Sequence, residues 1–219
     1  MKKIIYTLFI FPLFMFSQEV SVADGATLTI GTSGTMTVSS SITTNSTGSL
    51  IVETSRTASG SLIAKSAGAN QGKGITLKRQ VDQLQGDSST AEWTLLGIPV
   101  TGETSGDIDD DLRTSGSNSA IGYFDPTTGQ GQYSYYTTNA NTQLVNGRGY
   151  LVSPSASGYV NITGPMRTTS VAYELEDGSG TYGNWNLVGN PYPSYINMTD
   201  DADASNNFLT VNTSVLDEN

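Results

Sequence analysis

The sequence predicts an all-β protein in two parts. The first is a short β-solenoid-like or β-meander stalk. The second is an antiparallel, jelly-roll-like β-sandwich whose second repeat is incomplete. Three observations predict this. A turn glycine followed by a short apolar β run recurs four times between Gly25 and Ile63. The phrase W-x-L-φ-G-x-P occurs at Trp93–Pro99 and again at Trp185–Pro191. Between the two copies, short β runs are punctuated by Gly, Pro and Asp, as in antiparallel β proteins.

The chain opens with Lys2 and Lys3, then a nearly continuous apolar run from Ile4 to Phe16. As a helix, those 13 residues span about 20 Å, short of a roughly 30 Å hydrocarbon core. Residues 1–17 therefore read as a secretory signal peptide cleaved after Ser17, with an N-terminal membrane anchor as the alternative. Cleavage removes two lysines and no acids, so 8 basic against 20 acidic residues leave a net charge of −12. The full chain carries −10. That charge argues against nucleic acid, which is held mainly by Lys and Arg on phosphates. With no Cys and no His, disulfides, thiolate zinc, iron–sulfur clusters, Cys nucleophiles and Ser-His-Asp triads are excluded.

Aromatic residues divide the remainder. None lies between Ser17 and Glu92, and 14 lie from Trp93 onward. Residues 18–74 form the predicted stalk. There, Gly25-Ala-Thr-Leu28-Thr-Ile30, Gly34-Thr-Met36-Thr-Val38, Gly48-Ser-Leu50-Ile51-Val52 and Gly60-Ser-Leu62-Ile63 are spaced 9, 14 and 12 residues apart. Alternation puts apolar side chains on one face and hydroxyls on the other, and each phrase reads as one rung of three or four. Ser66–Gly74 reads as a Gly-rich connector; it lacks the GxxxxGK[ST] pattern of a phosphate loop.

Residues 75–184 form the predicted first sandwich repeat. Ile75–Val81 enters it. Trp93–Gly97 is a strand with two apolar faces, so both Trp93 and its counterpart Trp185 are expected in the core. The glycine of the phrase permits close backbone approach, and the proline ends the strand. Further strands are predicted at Ile121–Phe124, Gln132–Thr137, Gly149–Val152, Tyr159–Ile162 and Val171–Leu175. Residues 185–219 begin the second repeat. The 92-residue offset also aligns Asp109 with Asp201 and Asp111 with Asp203. Only 35 of 92 residues are present from Trp185 onward, which predicts a fragment of a longer parent.

Asn184-Trp-Asn-Leu-Val-Gly-Asn-Pro-Tyr-Pro-Ser194 resembles the WNLVGNPYPS phrase of large secreted surface proteins of the Bacteroidota, a group typically exported by the type IX secretion system. Glu92–Gly102 and Asn146-Gly-Arg-Gly-Tyr150 resemble two further phrases of that group. Gly97 stands where serine is common there. The resemblance implies an extracellular or cell-surface β protein, often adhesive, with a C-terminal sorting domain. It implies no catalytic residues.

Three constellations are candidate sites. Asp107, Asp109 and Asp111, and the alternating Asp201, Asp203, Ser205 and Asn207, resemble calcium loops, since calcium takes six to eight closely spaced oxygens. The alternative is solvated acidic turns. Structural calcium is the one cofactor the sequence suggests. Tyr133 and Tyr135 share one strand face with Tyr136 opposite, and Tyr192 and Tyr195 flank the NPYPS turn. Sugars stack on exposed aromatic faces, so these four are candidate glycan contacts, with core packing as the alternative. Glu174 and Glu176 lie two residues apart on one predicted strand face, within glycosidase carboxyl spacing, a pairing that any acidic β protein offers by chance. Arg148 reads as a surface or salt-bridge residue.

Together these readings lead to a non-enzymatic extracellular structural or adhesion-type surface protein. The alternative is a carbohydrate-binding module of a secreted polysaccharide-degrading protein. The expected partner is a glycan or a cell surface, with no nucleic acid and no stable membrane insertion after signal cleavage.

Overall fold

The computed structural model describes residues 19–55, 57–65, 70–72, 74–81, 93–155, 158–199, 204–205 and 207–216. The expected signal segment and part of the Gly-rich connector lie outside them. The protein is all-β, with one single-turn helix, α1 (Phe208–Val211), and one 3-10 turn (Gly106–Asp111) among the described residues.

Eight strands come first: β1 (Val20–Val22), β2 (Thr27–Ile30), β3 (Thr35–Val38), β4 (Ile42–Thr44), β5 (Ser49–Thr54), β6 (Ser61–Ala64), β7 (Asn70–Gly72) and β8 (Ile75–Gln80). They pair in parallel three apart, β1 with β4 with β7, β2 with β5 with β8, and β3 with β6. The repeating unit is therefore three strands, not the single strand expected for each glycine phrase. Two complete units are followed by two strands of a third. Thr27 lies on Ser49, an offset of 22, whereas Thr35 lies on Ser61, an offset of 26. A small hairpin closed by a bridge between Thr54 and Ser59 lengthens the second unit, and β4 separates Gly34 from Gly48, which together make the glycine spacing uneven. Residues 70–72, expected as connector, are strand β7.

Burial follows the stacking. Ile42, Leu50 and Leu62 are at most 1% exposed, while the residues stacked on them in the first unit, Val20, Leu28 and Met36, are half-buried. Each fully buried aliphatic side chain contributes roughly 2 kcal/mol. The threonines that alternate with them in β2 and β3 face solvent, as expected. Two threonines turn inward and are satisfied across units. The Thr44 hydroxyl donates to the Gly74 carbonyl (3.1 Å) and accepts from its N–H (3.0 Å). The Thr54 hydroxyl accepts from the Gln80 N–H at 3.1 Å. At one corner, Asp24 accepts from the hydroxyls of Ser46 and Thr47 and from the Thr47 N–H, all within 3.0 Å.

The second region supplies β9 (Thr94–Gly97), β10 (Thr114–Ser115), β11 (Asn118–Asp125), β12 (Gln132–Thr137), β13 (Gly149–Val152) and β14 (Tyr159–Gly164). β9 through β13 form one antiparallel sheet of five strands, in which β11 pairs with β10, β12 and β13, and β13 with β9. β14 leaves that sheet and pairs antiparallel with β8 over six residues. The parallel sheet thus runs through the expected boundary at 74/75. One continuous core extends from Val22 through Leu77, Ile98, Ile121 and Tyr150 to Met166.

The duplicated phrases meet each other. A Cβ on Gly189 would stand 2.8 Å from the Gly97 Cα, 2.8 Å from the Arg148 carbonyl oxygen and 3.2 Å from the Gly149 Cα. A Cβ on Gly97 would stand 2.6 Å from the Asn190 carbonyl oxygen. These distances are too short for any side chain, so glycine is the residue that lets three backbones touch. Asn146 locks the contact by donating to the carbonyls of Ile98 and Val100, both at 2.7 Å.

Three expectations are corrected. Residues 185–189 do not repeat the strand seen at Thr94–Gly97. They form a single bridge, Val188 to Arg148, along the Gly147–Gly149 backbone. Trp93 and Trp185 are 41% and 67% exposed rather than core, because the apolar alternation does not say which face is covered. Val171–Leu175 is irregular and Leu175 is exposed. Its neighbour Glu176 is instead clasped by the Asn186 amide, which donates to the Glu176 carbonyl at 2.8 Å and accepts from its N–H at 3.0 Å.

Candidate functional site

The acidic run at 107–111 folds into the 3-10 turn, and its carboxylates point to three different donors. Asp107 caps its own turn, accepting from the Thr104 N–H (2.9 Å) and hydroxyl (2.7 Å). Asp109 accepts from the Asn139 N–H. Asp111 accepts from the Asn161 N–H (2.7 Å) and side-chain amide (3.0 Å). The expected convergence of Asp107, Asp109 and Asp111 on one cation is therefore not formed. No group of three acidic side chains suited to a metal ion occurs among the described residues. Of the second run, Asp201 and Asp203 lie outside the described residues. Ser205 is exposed, and Asn207 is buried as the N-cap of α1, accepting from the Thr210 N–H at 2.9 Å.

The acidic turn does contain one group that the sequence reading missed. Glu103 is 6% exposed, and its carboxyl is pushed up to about 7. Loss of hydration is the main cause. The Thr163 N–H opposes it, and the negative charges of Asp107 and Asp111 add to it. Glu103 lines none of the hollows described below.

The tyrosine alternation on β12 is observed. Tyr133 and Tyr135 are 37% and 44% exposed, while Tyr136 points inward against Tyr123 and Tyr150. Tyr135 lies over Gly122, its cross-strand partner, where any Cβ would stand 2.8 Å from the ring. Trp93 packs beside Tyr135 with ring centroids 5.6 Å apart, and Phe124 packs on Tyr133 at 5.7 Å. Beside the Trp93–Tyr135 pair lies a hollow of about 430 Å³, within the range of small-ligand sites. Arg113, Asn118, Ser119 and Ser153 line it too.

Tyr192 and Tyr195 lie elsewhere, in a larger hollow of about 660 Å³ walled by Leu175, Val188, Met198 and Val215 and lined by no charged side chain among the described residues. Their hydroxyls have structural partners. Tyr192 donates to the Thr169 carbonyl at 3.2 Å. Tyr195 donates to the Ser59 carbonyl (2.8 Å) and accepts from the Ser59 N–H (3.1 Å). With the Leu62 N–H donating to the Pro193 carbonyl at 2.8 Å, the NPYPS turn is docked on the hairpin of the parallel region. Tyr195→Phe is expected to cost about 1–2 kcal/mol in urea unfolding, through loss of both bonds at this joint.

Arg148 is half-buried and held from several sides. It lies over the rings of Tyr123 and Tyr173, donates from Nε to the Tyr173 hydroxyl (3.0 Å) and pairs with Glu176 at 3.6 Å. The salt-bridge reading of Arg148 fits this arrangement. Glu176 is thereby engaged, and Glu174 does not share a strand face with it, since that segment is not a strand.

The match to known families spans both regions. A family model described as a domain of unknown function, DUF8693, matches residues 13–219. The chain belongs to the DUF8693 family. No curated protein and no solved structure matches it. For this DUF8693 chain, the site therefore rests on geometry alone. That geometry brings Trp93 to Tyr135, separates both from Tyr192 and Tyr195, and adds Arg113, Ser119 and Ser153.

Proposed function

We propose that this chain is an exported, non-catalytic binding module whose five-stranded sheet presents an aromatic surface to a glycan. The observation that carries the reading is the exposed Trp93–Tyr135 pair, with Tyr135 seated on Gly122, beside a largely apolar hollow that Arg113 and Asn118 also line. Large aromatic rings left half in water expose apolar area without a covering partner, and a sugar ring offers the flat C–H face that fits them. This favours the carbohydrate-binding alternative over an adhesion surface of undefined chemistry.

In this reading the parallel region is a short three-sided β-solenoid serving as a spacer, supported by the three parallel strand stacks. The five-stranded sheet and the β14–β8–β5–β2 sheet are the two layers of a sandwich, supported by their shared core. The charged and apolar opening of the chain supports export, and the NPYPS phrase supports a cell-surface setting.

Affinity electrophoresis through gels containing soluble polysaccharides tests the proposal. Retardation in at least one gel is expected. Trp93→Ala or Tyr135→Ala should weaken it at least about tenfold, and Tyr195→Phe should leave it unchanged. Mobility unaffected by every polysaccharide contradicts the proposal, and so does retention that survives both alanine substitutions.

A further inference from the structure

We infer that the hollow beside Trp93 selects a sugar bearing a carboxylate, a uronic acid unit, through one local cation and against the chain's overall negative charge. This inference rests on the glycan-binding reading above and names the class of sugar.

Arg113 carries it. Its backbone is fixed on both sides: the Arg113 N–H donates to the Ser153 carbonyl (3.1 Å), and the Arg113 carbonyl accepts from the Ala120 N–H (2.8 Å). Its Nε donates to the Pro154 carbonyl at 3.1 Å, which fixes the guanidinium plane, and the residue lines the hollow. No carboxylate among the described residues pairs with it. Two other cations do pair with carboxylates, Lys78 with Glu53 at 3.7 Å and Arg148 with Glu176 at 3.6 Å. Its terminal nitrogens form a fork that matches a carboxylate in two parallel hydrogen bonds.

The same hollow holds two further polar groups. Ser119 and Ser153 are 2% and 0% exposed, and neither hydroxyl has a hydrogen-bond partner among the described residues. Buried hydroxyls are normally paired. One rotation about χ1 brings a serine hydroxyl to a new partner, and each can both donate and accept. The hollow therefore combines a ring-stacking wall and a fixed cation, with two unpaired serine hydroxyls buried at its lining residues. A uronic acid has the complementary set: a C–H face, ring hydroxyls and a carboxylate. The larger hollow near Tyr195 has no cation among the described residues and lacks this match.

The test is isothermal titration of the full chain with trisaccharides of galacturonate, guluronate and glucuronate, each as the free acid and as its methyl ester. The ester keeps the ring and its hydroxyls and removes the charge. At least one free acid is expected to bind about tenfold or more tightly than its ester. Arg113→Gln should bring that ratio to about one, Arg113→Lys should leave an intermediate ratio, and Trp93→Ala should weaken acid and ester together. Thermal melts confirm that each variant is folded. Equal binding of acid and ester, or an acid preference unchanged in Arg113→Gln, overturns the carboxylate assignment and leaves the glycan reading intact. Absence of binding to these sugars and to a neutral polysaccharide panel overturns the glycan reading itself.

Discussion

Gly97→Ala and Gly189→Ala are each expected to destabilise the protein by more than about 4 kcal/mol, in the range where single substitutions prevent folding. At either position the new methyl group meets backbone within 2.6 to 2.8 Å: Asn190 from Gly97, and Arg148 and Gly97 from Gly189. Backbone at the joint between two segments does not give way as a flexible side chain would, and its close packing leaves no room for relaxation. Gly116→Ala is the control. Gly116 has φ +61° and nothing within 4 Å of a built Cβ, so alanine there costs only the backbone conformation, about 1 kcal/mol. For a chain of this size, the melting temperature should fall by roughly 10 °C or more at the phrase glycines and by a few degrees at Gly116. A Gly97→Ala melt within about 2 °C of wild type contradicts the close contact between the two phrases.

Glu103 produces the second large effect, a stability that declines as pH rises. Its carboxyl titrates near 7 in the folded chain and near 4.5 when unfolded. Between those values the folded state holds the proton and the unfolded state does not. The contribution is therefore complete below about pH 4.5 and is lost as pH rises through 7. Allowing for partial screening by solvent, it amounts to about 2 kcal/mol. Asp125 is shifted the other way, below 3.8, by the hydroxyls of Thr128 and Thr127, so its effect falls at lower pH and does not offset this one. Glu103→Gln keeps an acceptor for the Thr163 N–H and removes the charge. The variant should melt roughly 4–8 °C above wild type at pH 8 and close to it at pH 4.5. Equal melting temperatures at both pH values contradict the burial of an ionisable Glu103.

The local elements of this fold were largely legible. β12 and β13 fall on the predicted residues, and β8, β11 and β14 within two or three of them, because alternation and the flanking glycines and prolines act locally. The glycine phrases gave β2, β3, β5 and β6. Strands β1, β4 and β7 have three residues each, too few to show a period, so the three-strand repeat stayed hidden and the glycine spacing was read as one rung per strand.

Pairing across long separations was not legible. Nothing local in Ile75–Gln80 announces that it joins parallel β5 on one side and antiparallel β14 on the other. The phrase at Trp185 shares Trp, Leu, Gly and Pro in register with the phrase at Trp93, yet only the first has a full partner strand. The second lies along glycines at the edge, with its tryptophan outward. The same ambiguity governs the site. Alternation paired Tyr133 with Tyr135 correctly, but the face they share is identified as outer only by the burial of Tyr136 and Tyr150 on the other side. Arg113 carried no sequence signal, since an arginine between a leucine and a threonine does not reveal which carbonyl will hold it.

Intrinsic fluorescence tests the central claim most directly, because the chain has only two tryptophans. Trp185 packs against Tyr182 and away from the hollow, so Trp185→Phe leaves Trp93 as the single reporter at the proposed site. Titrating that variant with the acidic trisaccharides should give a saturable blue shift of the emission as a sugar covers the ring, and Tyr135→Ala should abolish it. An emission spectrum that does not move across the oligosaccharide panel, with the protein folded, contradicts a glycan site at Trp93.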